Sequence, residues 1–571
     1  MATGAQWKKS GAIASLKQQA AARVAPLKLG ILCDGLTFEA WEAEAVTCLL
    51  ASGFVELGLV ILSGSMNDKN AMSRDQKLRR FMLKSFQRLT RARSHRRIDL
   101  SDTLSGVPIV RYMQNAQVEH AGVSNDVSVG TVRDVVADSS FDVILKLGSA
   151  RVDIGLLAMP RHGVWAMNRT EQSAKAGGPP GFWEILNGDL VTGACLCRLT
   201  ANEGEGVILR KGYLKTLGSL PGRSLDAISF ECARWPTYAV AEIVNGTAEL
   251  RTYGAIRAVA GQRVPTWFEL ARFFVKTARN FAGRMADYGA MDEWHVGVIK
   301  MPIRDIMEGK PLKEVQWLPS GANEWYADPF ARLVGEKIAV LMEKMPLGRG
   351  RVETKAHIAS VVLDESGWGV PEFAFATGSH VSYPYLIESE GRVFMTPETW
   401  ELNELSLYEA TEFPRTWRKV AVLLPGIAAT DATVFEYRGR WWMLCTTSDA
   451  SAETLLAFYA DSLFGPWHGH RQNPLKVDVR GSRPAGRPFE IDGILYRPSQ
   501  DCSRTYGGRI IVQRVLELDE QHWLEEQAFI FEPEPAWPYS EGLHTLSVVG
   551  DVCIIDAKRK SRRQGAALFR A

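Results

Sequence analysis

Apolar and polar positions follow two different patterns along the chain, and the first pattern covers its amino-terminal part. In residues 28–62, two apolar runs flank a segment whose apolar residues recur at helical spacing, as Trp41 and Leu49 do. This pattern predicts a strand, a helix and a second strand parallel to the first. Apolar runs at residues 141–149 and 162–168 predict further buried strands. The first half is therefore predicted to be an α/β domain.

From about residue 291 the pattern changes to short apolar runs separated by turns, and it repeats. Each copy opens with a polar residue, has a glycine-containing turn about eight residues later, and continues with a second apolar run. Five copies at this period predict an all-β domain, a five-bladed β-propeller. The copies open at residues 328, 383, 431, 483 and 544, at separations of 55, 48, 52 and 61 residues.

Two amphipathic segments lie outside these patterns. Residues 75–99 contain nine Lys or Arg residues, which suits either a helix with a solvated face or one that binds anionic lipid or a phosphate-bearing ligand. Residues 267–285 repeat Trp, Phe and Leu at helical spacing and are predicted to form a linker helix. The predicted domains are a basic tail (1–27), the α/β domain (28–220), a helical connector (221–290) and the propeller (291–571).

Composition and charge fit an ordinary globular protein. The net charge of +2 gives no argument for nucleic acid as a partner, and no run of about eighteen apolar residues predicts a membrane-spanning helix. None of the eight cysteines forms a CxxC pair, so neither a metal nor a disulfide is predicted. The amino terminus lacks the apolar core of a signal peptide. We therefore expect a cytoplasmic protein without a cofactor, and leave peripheral membrane contact and protein partners open.

The stretch GGPPGFWEILNGD, followed by TG, resembles the core of folate-dependent formyltransferases over roughly residues 28–215. The resemblance implies a formyltransferase-like fold whose catalysis requires an Asn, a His and an Asp, together with a loop Arg. Aligned on these motifs, the Asn, His, Arg and Asp positions hold Ala166, Asn168, Ala176 and Gly204. The resemblance therefore implies a catalytically degenerate domain. A sugar N-formyltransferase with a rearranged site remains an alternative.

In a propeller the first strands of all blades meet around the central axis, so residues at their starts converge although they lie far apart in sequence. A protonated and an ionised carboxyl group facing a sugar are the minimum for glycoside hydrolysis. The residues predicted to converge from the first strands are Asp328, Tyr383, Asp431, Arg483 and His544, and the second strands end at Glu343, Glu398, Gln500 with Asp501, and Asp556.

The ADP motif resembles the first blade of glycoside hydrolase family 43, and the resemblance implies catalytic roles. Asp328 would be the base or nucleophile, Asp431 would modulate pKa values, and Glu398 would be the acid, although it ends a second strand instead of opening a blade. A closer resemblance, through HVSYPY, ATDATVF, SRPAG, QDCSRTYGGR and GLHTLS, is to the amino-terminal propeller of plant glucosamine inositolphosphorylceramide transferases. It implies a role in glycolipid or polysaccharide assembly.

The segment QDCSRTYGGR has a Gly-Gly turn with arginines, which suits a phosphate or an acidic sugar as well as a turn that closes a blade. The leading hypothesis is a carbohydrate-active or carbohydrate-binding protein that acts through the propeller funnel; whether it is an enzyme is left open. A non-catalytic scaffold is the alternative, and a buried, ion-paired Asp328 would favour it. The predicted substrate-binding residues are Tyr383, His380, Arg483, Gln500, Asp501, Arg504 and His544.

Overall fold

A computed structural model gives the architecture of the chain, and its described residues form two compact units, with the chain passing from the first to the second between Ala286 and Asp287. No helix in this described part is long and apolar enough to cross a membrane. Most of the predicted basic tail, and the loop positions Ala176 and Gly204, lie outside it. The described residues are 25–63, 73–89, 93–112, 118–120, 140–150, 152, 154–169, 181–202, 205–245, 252–256, 264–319, 321, 323–346 and 355–562.

The first unit is built on a nine-stranded sheet, in the order β11-β10-β9-β8-β7-β1-β3-β5-β6, with β2 and β4 as a separate pair. The strands from β8 to β5 in that order are parallel, and those outside them are antiparallel. This mixed sheet agrees with the predicted α/β class. The strands are β1 Leu27–Cys33, β2 Thr37–Glu39, β3 Val55–Ser63, β4 Arg97–Asp99, β5 Ile109–Tyr112, β6 Val118–His120, β7 Val143–Lys146, β8 Val164–Asn168, β9 Val191–Leu199, β10 Gly206–Lys215 and β11 Ala255–Ile256.

Six helices of the first unit are described, and they differ in how they meet the sheet. Within the predicted connector of residues 221–290, the first helix (α5) packs against α1, β9 and β10, and the second (α6) packs against α4. Both are therefore built into the first unit. The helices are α1 Ala40–Ser52, α2 Arg74–Leu89, α3 Ile154–Leu157, α4 Phe182–Asn187, α5 Pro221–Val244 and α6 Trp267–Ala286.

The second unit opens with β12 Ala290–Ile299, the short helix α7 Ile303–Met307 and β13 Gln316–Trp317. Four antiparallel blades follow in chain order. Blade one has β14 Glu324–Val334, β15 Lys337–Pro346, β16 His357–Asp364, β17 Gly367–Trp368 and β18 Glu372–Phe375; blade two has β19 Ser382–Ser389, β20 Arg392–Glu398, β21 Glu404–Glu412 and β22 Thr416–Pro425; blade three has β23 Ala429–Tyr437, β24 Arg440–Thr447, β25 Thr454–Ala460, β26 His468–Gly469 and β27 Lys476–Val477; blade four has β28 Phe489–Ile491, β29 Ile494–Asp501, β30 Arg509–Leu518 and β31 Trp523–Phe531.

Blade five closes the ring with strands from both ends of the unit. Its inner pair is β32 Gly542–Val549 and β33 Val552–Arg562, and β33 pairs along its length with β12, which pairs with β13. The predicted five-bladed propeller is thereby confirmed. Each sequence copy corresponds to the two inner strands of one blade, and residues 290–317 supply the two outer strands of blade five.

Buried aliphatic side chains fill the space between neighbouring blades. Val296 from β12, Val340 from β15 and Ile554 from β33 belong to one buried cluster that joins blade five to blade one. Burying a side chain of this size stabilises the fold by about 1.5–3 kcal/mol. This packing fixes the first strands in position around the axis.

Candidate functional site at the propeller axis

Three residues predicted to converge lie in a β-bulge near the start of the first strand of their blade. Asp328, Tyr383 and Asp431 have positive φ angles of 51°, 44° and 50°. The register against the second strand shifts at these points in blades one, two and three, and at the equivalent point of blade five. A bulge redirects a side chain, and a positive φ is unfavourable for residues other than glycine. The repeated irregularity therefore marks the end of the axis where polar side chains gather.

Carboxylates of the second strands accept hydrogen bonds from these bulges. Asp556 of blade five accepts from the backbone N–H groups of Asp328 at 2.8 Å, His544 at 3.1 Å and Thr545 at 2.9 Å. Glu398 of blade two accepts from the N–H of Asp431 in blade three at 2.9 Å. Each acid satisfies a buried donor of the following blade, and leaving such a donor unpaired would cost about 1–3 kcal/mol. Asp556 and Glu398 thus have a structural function as well as any chemical one.

Asp328 is almost completely enclosed, at 6% exposed. Its Oδ2 accepts from the N–H of Tyr383 at 3.2 Å, and its Oδ1 accepts from the hydroxyl of Thr545 at 2.9 Å. His544 Nε2 lies 3.6 Å from Oδ1. Burial raises the pKa of Asp328 to about 6; His544 opposes this shift and the carboxylate of Asp431 adds to it. The group therefore changes protonation state near neutral pH, as an acid–base catalyst must.

Asp431 is held in an ion pair with Arg483. Arg483 donates from Nε to Oδ2 at 2.5 Å and from Nη2 to Oδ1 at 3.0 Å, and the amide of Gln500 also donates to Oδ2 at 2.8 Å. Arg483 Nη2 lies 3.8 Å from Glu398 as well. Such a two-point pair fixes both side chains in a defined geometry. The structure thus brings together the predicted Asp431, Arg483 and Gln500.

Glu343 and Glu398 are both buried and both favour the protonated form. Burial raises the pKa of Glu343 well above its ordinary value, and the charges of Asp328 and Glu398 add to the effect. Burial likewise raises the pKa of Glu398; the charge of Asp431 adds to the effect, and that of Arg483 opposes it. In that form each side chain can donate a hydrogen bond or a proton.

His544 lies in an aromatic slot beside Asp328. The ring of Trp294, from β12, stacks on it at 3.8 Å between centroids, and Tyr506 meets it edge-on at 5.5 Å. His544 Nδ1 lies 2.7 Å from Asp556 Oδ2. Burial alone would lower the pKa of His544, but the carboxylates of Asp556 and Asp328 outweigh burial and raise it. The imidazole is thus favoured in its charged form beside two acids.

The other predicted residues have different surroundings. The hydroxyl of Tyr383 lies 2.9 Å from that of Thr433 and accepts from the N–H of Gly486, which links blades two, three and four. Asp501 accepts from Ser503 and Arg509 within its own turn. Arg504 is exposed in that turn. His380 is partly exposed, and its Nε2 lies 3.4 Å from Glu343 Oε1.

Within the described residues, Asp328, His544 and Asp556 also place one potential ligand atom each within 4.8 Å of one another. No sequence pattern indicates such a group, because 216 and 12 residues separate its members and no metal-binding spacing relates them. Asp556 already accepts three backbone hydrogen bonds. The favourable partner of the two acids is therefore the charged His544, and a cation would have to compete with it.

The site combines two kinds of acid. Glu343 and Glu398 favour the protonated form, whereas Asp431 forms an ion pair with Arg483. Glu343 and Glu398 can donate to an acceptor oxygen, whereas Asp431 accepts from Arg483 and Gln500. Neighbouring carboxyl groups with unlike environments are the usual basis of acid–base pairs. The group can thus bind hydroxyl or ammonium groups and can move a proton.

Three contributors were not predicted as site residues. Glu343 and Asp556 were recognised only as ends of second strands, although their position matches that of Glu398. Trp294 precedes the repeat and reaches the axis only because β12 is part of blade five. The period of the repeat could have indicated the first two, but no local signal identifies Trp294.

In the first unit, two positions of the predicted degenerate site are described. Ala166 and Asn168 lie in the last residues of β8, where Asn168 pairs with Cys195 of β9. Ala176 and Gly204 are outside the described residues. The resemblance to formyltransferases therefore stays a prediction.

Comparison with known families supports the predicted resemblance of the propeller to glucosamine inositolphosphorylceramide transferases. Residues 318–535 match the family "Glucosamine inositolphosphorylceramide transferase 1, N-terminal". The proteins named glucosamine inositolphosphorylceramide transferase 1 from Oryza sativa subsp. japonica and Arabidopsis thaliana are each 30% identical to this chain over 210 residues. The match covers 36% of this chain and 28% and 27% of those proteins, so the chain corresponds to less than a third of their length.

Solved structures of glycoside hydrolases show a weak overall likeness. The family 117 enzyme Zg3597 of Zobellia galactanivorans has a TM-score of 0.32 at 13% identity, covering 47% of this chain and 90% of its own. A GH43_1 enzyme from Xanthomonas citri has a TM-score of 0.32 at 13% identity, covering 42% and 84%. The five-bladed architecture described above rests on the strand pairing alone.

Proposed function

We propose that the propeller binds a sugar-bearing ligand, a glycan or the headgroup of a glycolipid, and acts in glycan or glycolipid assembly or processing. The convergence of ionisable groups at the axis carries this proposal. The similarity of residues 318–535 to the amino-terminal region of glucosamine inositolphosphorylceramide transferases supports it. The acids are Asp328, Glu343, Glu398, Asp431 and Asp556, and the bases are Arg483 and His544.

The excess of acids over bases favours an amino sugar in its ammonium form. A cation among partly protonated carboxyl groups lowers their pKa values and is bound more tightly as they ionise. Glucosamine is therefore the probe, with the uncharged N-acetylglucosamine as its matched control. We expect saturable binding of glucosamine by calorimetry, with affinity rising between pH 5 and pH 7 and at least tenfold weaker binding of N-acetylglucosamine.

Variants locate the binding. Asp328→Asn and Glu343→Gln should each weaken glucosamine binding, whereas Glu372→Gln should not, because Glu372 is exposed and pairs with Arg415 at the surface. Equal binding of the charged and uncharged sugars would contradict the charge argument. Absence of any saturable sugar binding by the folded protein would remove the proposal.

If the site is catalytic, Asp328 is the proposed base, Glu398 or Glu343 the acid, and Asp431 the modulator. The alternative of a non-catalytic scaffold is favoured by the enclosure of Asp328 and by the partners of both its oxygens. Incubation with aryl glycosides separates the two. Turnover that is lost in both Asp328→Asn and Glu398→Gln supports an enzyme, and sugar binding without turnover supports a scaffold.

Two further proposals concern the first unit and the compartment. A sugar N-formyltransferase needs a formyl-folate pocket near Asn168, and calorimetry with formyl-tetrahydrofolate tests for one. A cytoplasmic location is supported by the eight cysteines, all of which are buried and none of which forms a disulfide. Cell fractionation tests it.

A further inference from the structure

Two helices of the first unit expose apolar side chains to solvent. On α2, Phe81 is 61% exposed and its neighbours Leu78 and Met82 are also uncovered. On α6, Phe268 is 70% exposed and Val275 is 61% exposed. Large apolar side chains grouped in this way are characteristic of interaction sites.

The two helices contact each other, and each exposes apolar side chains. Leu83 of α2 belongs to the same buried cluster as Leu270 and Phe273 of α6. Trp267 donates from its indole to Asp75 at 2.7 Å, and Arg79 donates to the carbonyl of Pro265 at 2.6 Å. We call this surface the α2–α6 face, and its apolar members are Leu78, Phe81, Met82, Phe268 and Val275.

Basic residues accompany the apolar ones. The exposed positions Phe268, Arg272, Val275 and Arg279 recur at intervals of three or four residues, so they share one side of α6. The side of α6 opposite to them is buried. In sequence, α2 and α6 together hold ten Lys or Arg and two acids, a net charge of +8 in a chain whose total is +2. The remainder of the chain therefore carries −6, and positive charge is concentrated on these helices.

We propose that the α2–α6 face docks on an anionic lipid bilayer, with Phe81 and Phe268 entering the headgroup region and the arginines beside the lipid phosphates. An amphipathic helix with Lys or Arg next to Phe, Leu and Trp binds membrane interfaces in this way. A nucleic acid would need the charge but not the exposed phenylalanines. The basic charge disfavours a second copy of the same face. This proposal does not depend on sugar binding by the propeller.

Vesicle co-sedimentation of the full chain tests the proposal. We expect binding to phosphatidylcholine vesicles containing 30% phosphatidylserine that is at least tenfold stronger than to pure phosphatidylcholine. Each positive charge near such a surface contributes about fivefold in affinity. Arg272→Gln with Arg279→Gln should therefore weaken binding by more than tenfold. Phe81→Ser with Phe268→Ser should weaken it as much, and Val370→Ser, an exposed apolar residue of the propeller, should have no effect.

A fluorescent label reports insertion directly. Since all eight native cysteines are buried, the variant Phe268→Cys can be labelled selectively with an environment-sensitive dye. Its emission should shift to the blue on addition of anionic vesicles, and a label at Val370→Cys should not shift. All variants are checked for native circular dichroism.

Other outcomes would overturn the proposal. Absence of binding to anionic vesicles removes it. Another is vesicle binding that depends on the arginines and not on the phenylalanines, together with binding of single-stranded RNA that shows the same dependence. That result would identify a general polyanion site instead. A dimer abolished by Phe268→Ser, without vesicle binding, identifies an interface between copies of the chain.

Discussion

Arg483 and Asp431 form an ion pair that is buried at the axis and bonded at two points. Replacing Arg483 with Met leaves the carboxylate of Asp431 enclosed without its cationic partner. Breaking a buried pair in this way costs about 3–5 kcal/mol. We expect a loss of that size in the free energy of unfolding, measured by urea denaturation of the full chain.

A surface pair provides the control for this variant. Arg415 pairs with Glu372 at 2.6 Å, but both side chains are more than half exposed. Arg415→Met should therefore cost less than about 1 kcal/mol. Equal losses in the Arg483 and Arg415 variants would show that the axis pair is not important for stability.

The raised pKa of Asp328 predicts an unusual dependence of stability on pH. The folded protein holds this proton up to about pH 6, whereas the unfolded chain releases it near the ordinary value of 3.8. The stabilising contribution is thus complete below about pH 4 and is lost as the pH rises to about 6. The raised pKa of His544 acts in the same direction, because its contribution is also lost on raising the pH.

Asp328→Asn should remove the contribution of Asp328 and keep the bulge, because Asn tolerates a positive φ. As the pH rises from 4 to 6.5, we expect the free energy of unfolding of the wild type to fall by about 1–3 kcal/mol relative to that of the variant. Urea denaturation of both proteins at several pH values measures this difference. A difference that stays constant with pH would contradict the assignment.

At the scale of elements, Gly486 joins blades four and five. Its φ is 123°, and it forms an isolated bridge with Leu546 of β32. A Cβ atom at this position would overlap the carbonyl oxygen of Leu546. Gly486→Ala should therefore separate the two strands, with an expected cost of about 3 kcal/mol from backbone strain and lost contacts.

Gly439, in the turn between β23 and β24, is the matched control. It also has a positive φ, 74°, but nothing lies within 4 Å of a Cβ built on it. Gly439→Ala should cost only about 1–2 kcal/mol, the price of the left-handed conformation itself. Thermal unfolding of the two variants compares them, and similar shifts in midpoint would argue against a close contact at Gly486.

The repeat predicted the inner strands of the blades well, because those strands share one function. Each must place a polar residue at the axis and bury alternate apolar residues, and this requirement fixes their spacing, as at Asp328 and Asp431. The outer strands carry no such requirement. The fourth strand of blade three is divided into β26 and β27, and no common pattern predicts it.

The site was only partly predictable for a similar reason. The sequence placed Asp328, Asp431, Arg483 and His544 together because their positions in the repeat correspond. It could not show that Asp328 is enclosed, because enclosure depends on Thr545 and the N–H of Tyr383 in neighbouring blades. The burial of Asp328 and its hydrogen bonds to neighbouring blades become visible only in the three-dimensional structure.

At the scale of the whole molecule, closure of the propeller depends on a strand that precedes the repeat. The match to known proteins covers residues 318–535, which omits β12, β32 and β33. Without β12, the backbone of β33 would be left as an open edge, and open edges favour aggregation. His544 would also lose the ring of Trp294 that stacks on it.

These contacts predict where the propeller can be separated from the first unit. A fragment of residues 287–571 keeps β12 and the ion pair of Asp287 with Lys560, and we expect it to fold as a monomer with cooperative unfolding. A fragment of residues 300–571 lacks β12, and we expect it to aggregate or to expose apolar surface. Size-exclusion chromatography and dye binding distinguish the two fragments.

Adding a peptide of residues 287–319 to a fragment of residues 320–571 should restore folding, since it supplies β12 and β13 in trans. If the shorter fragment folded as stably as the longer one, the closing strand would be dispensable, and the axis would have to be held together by its ion pairs and bulge-capping carboxylates alone.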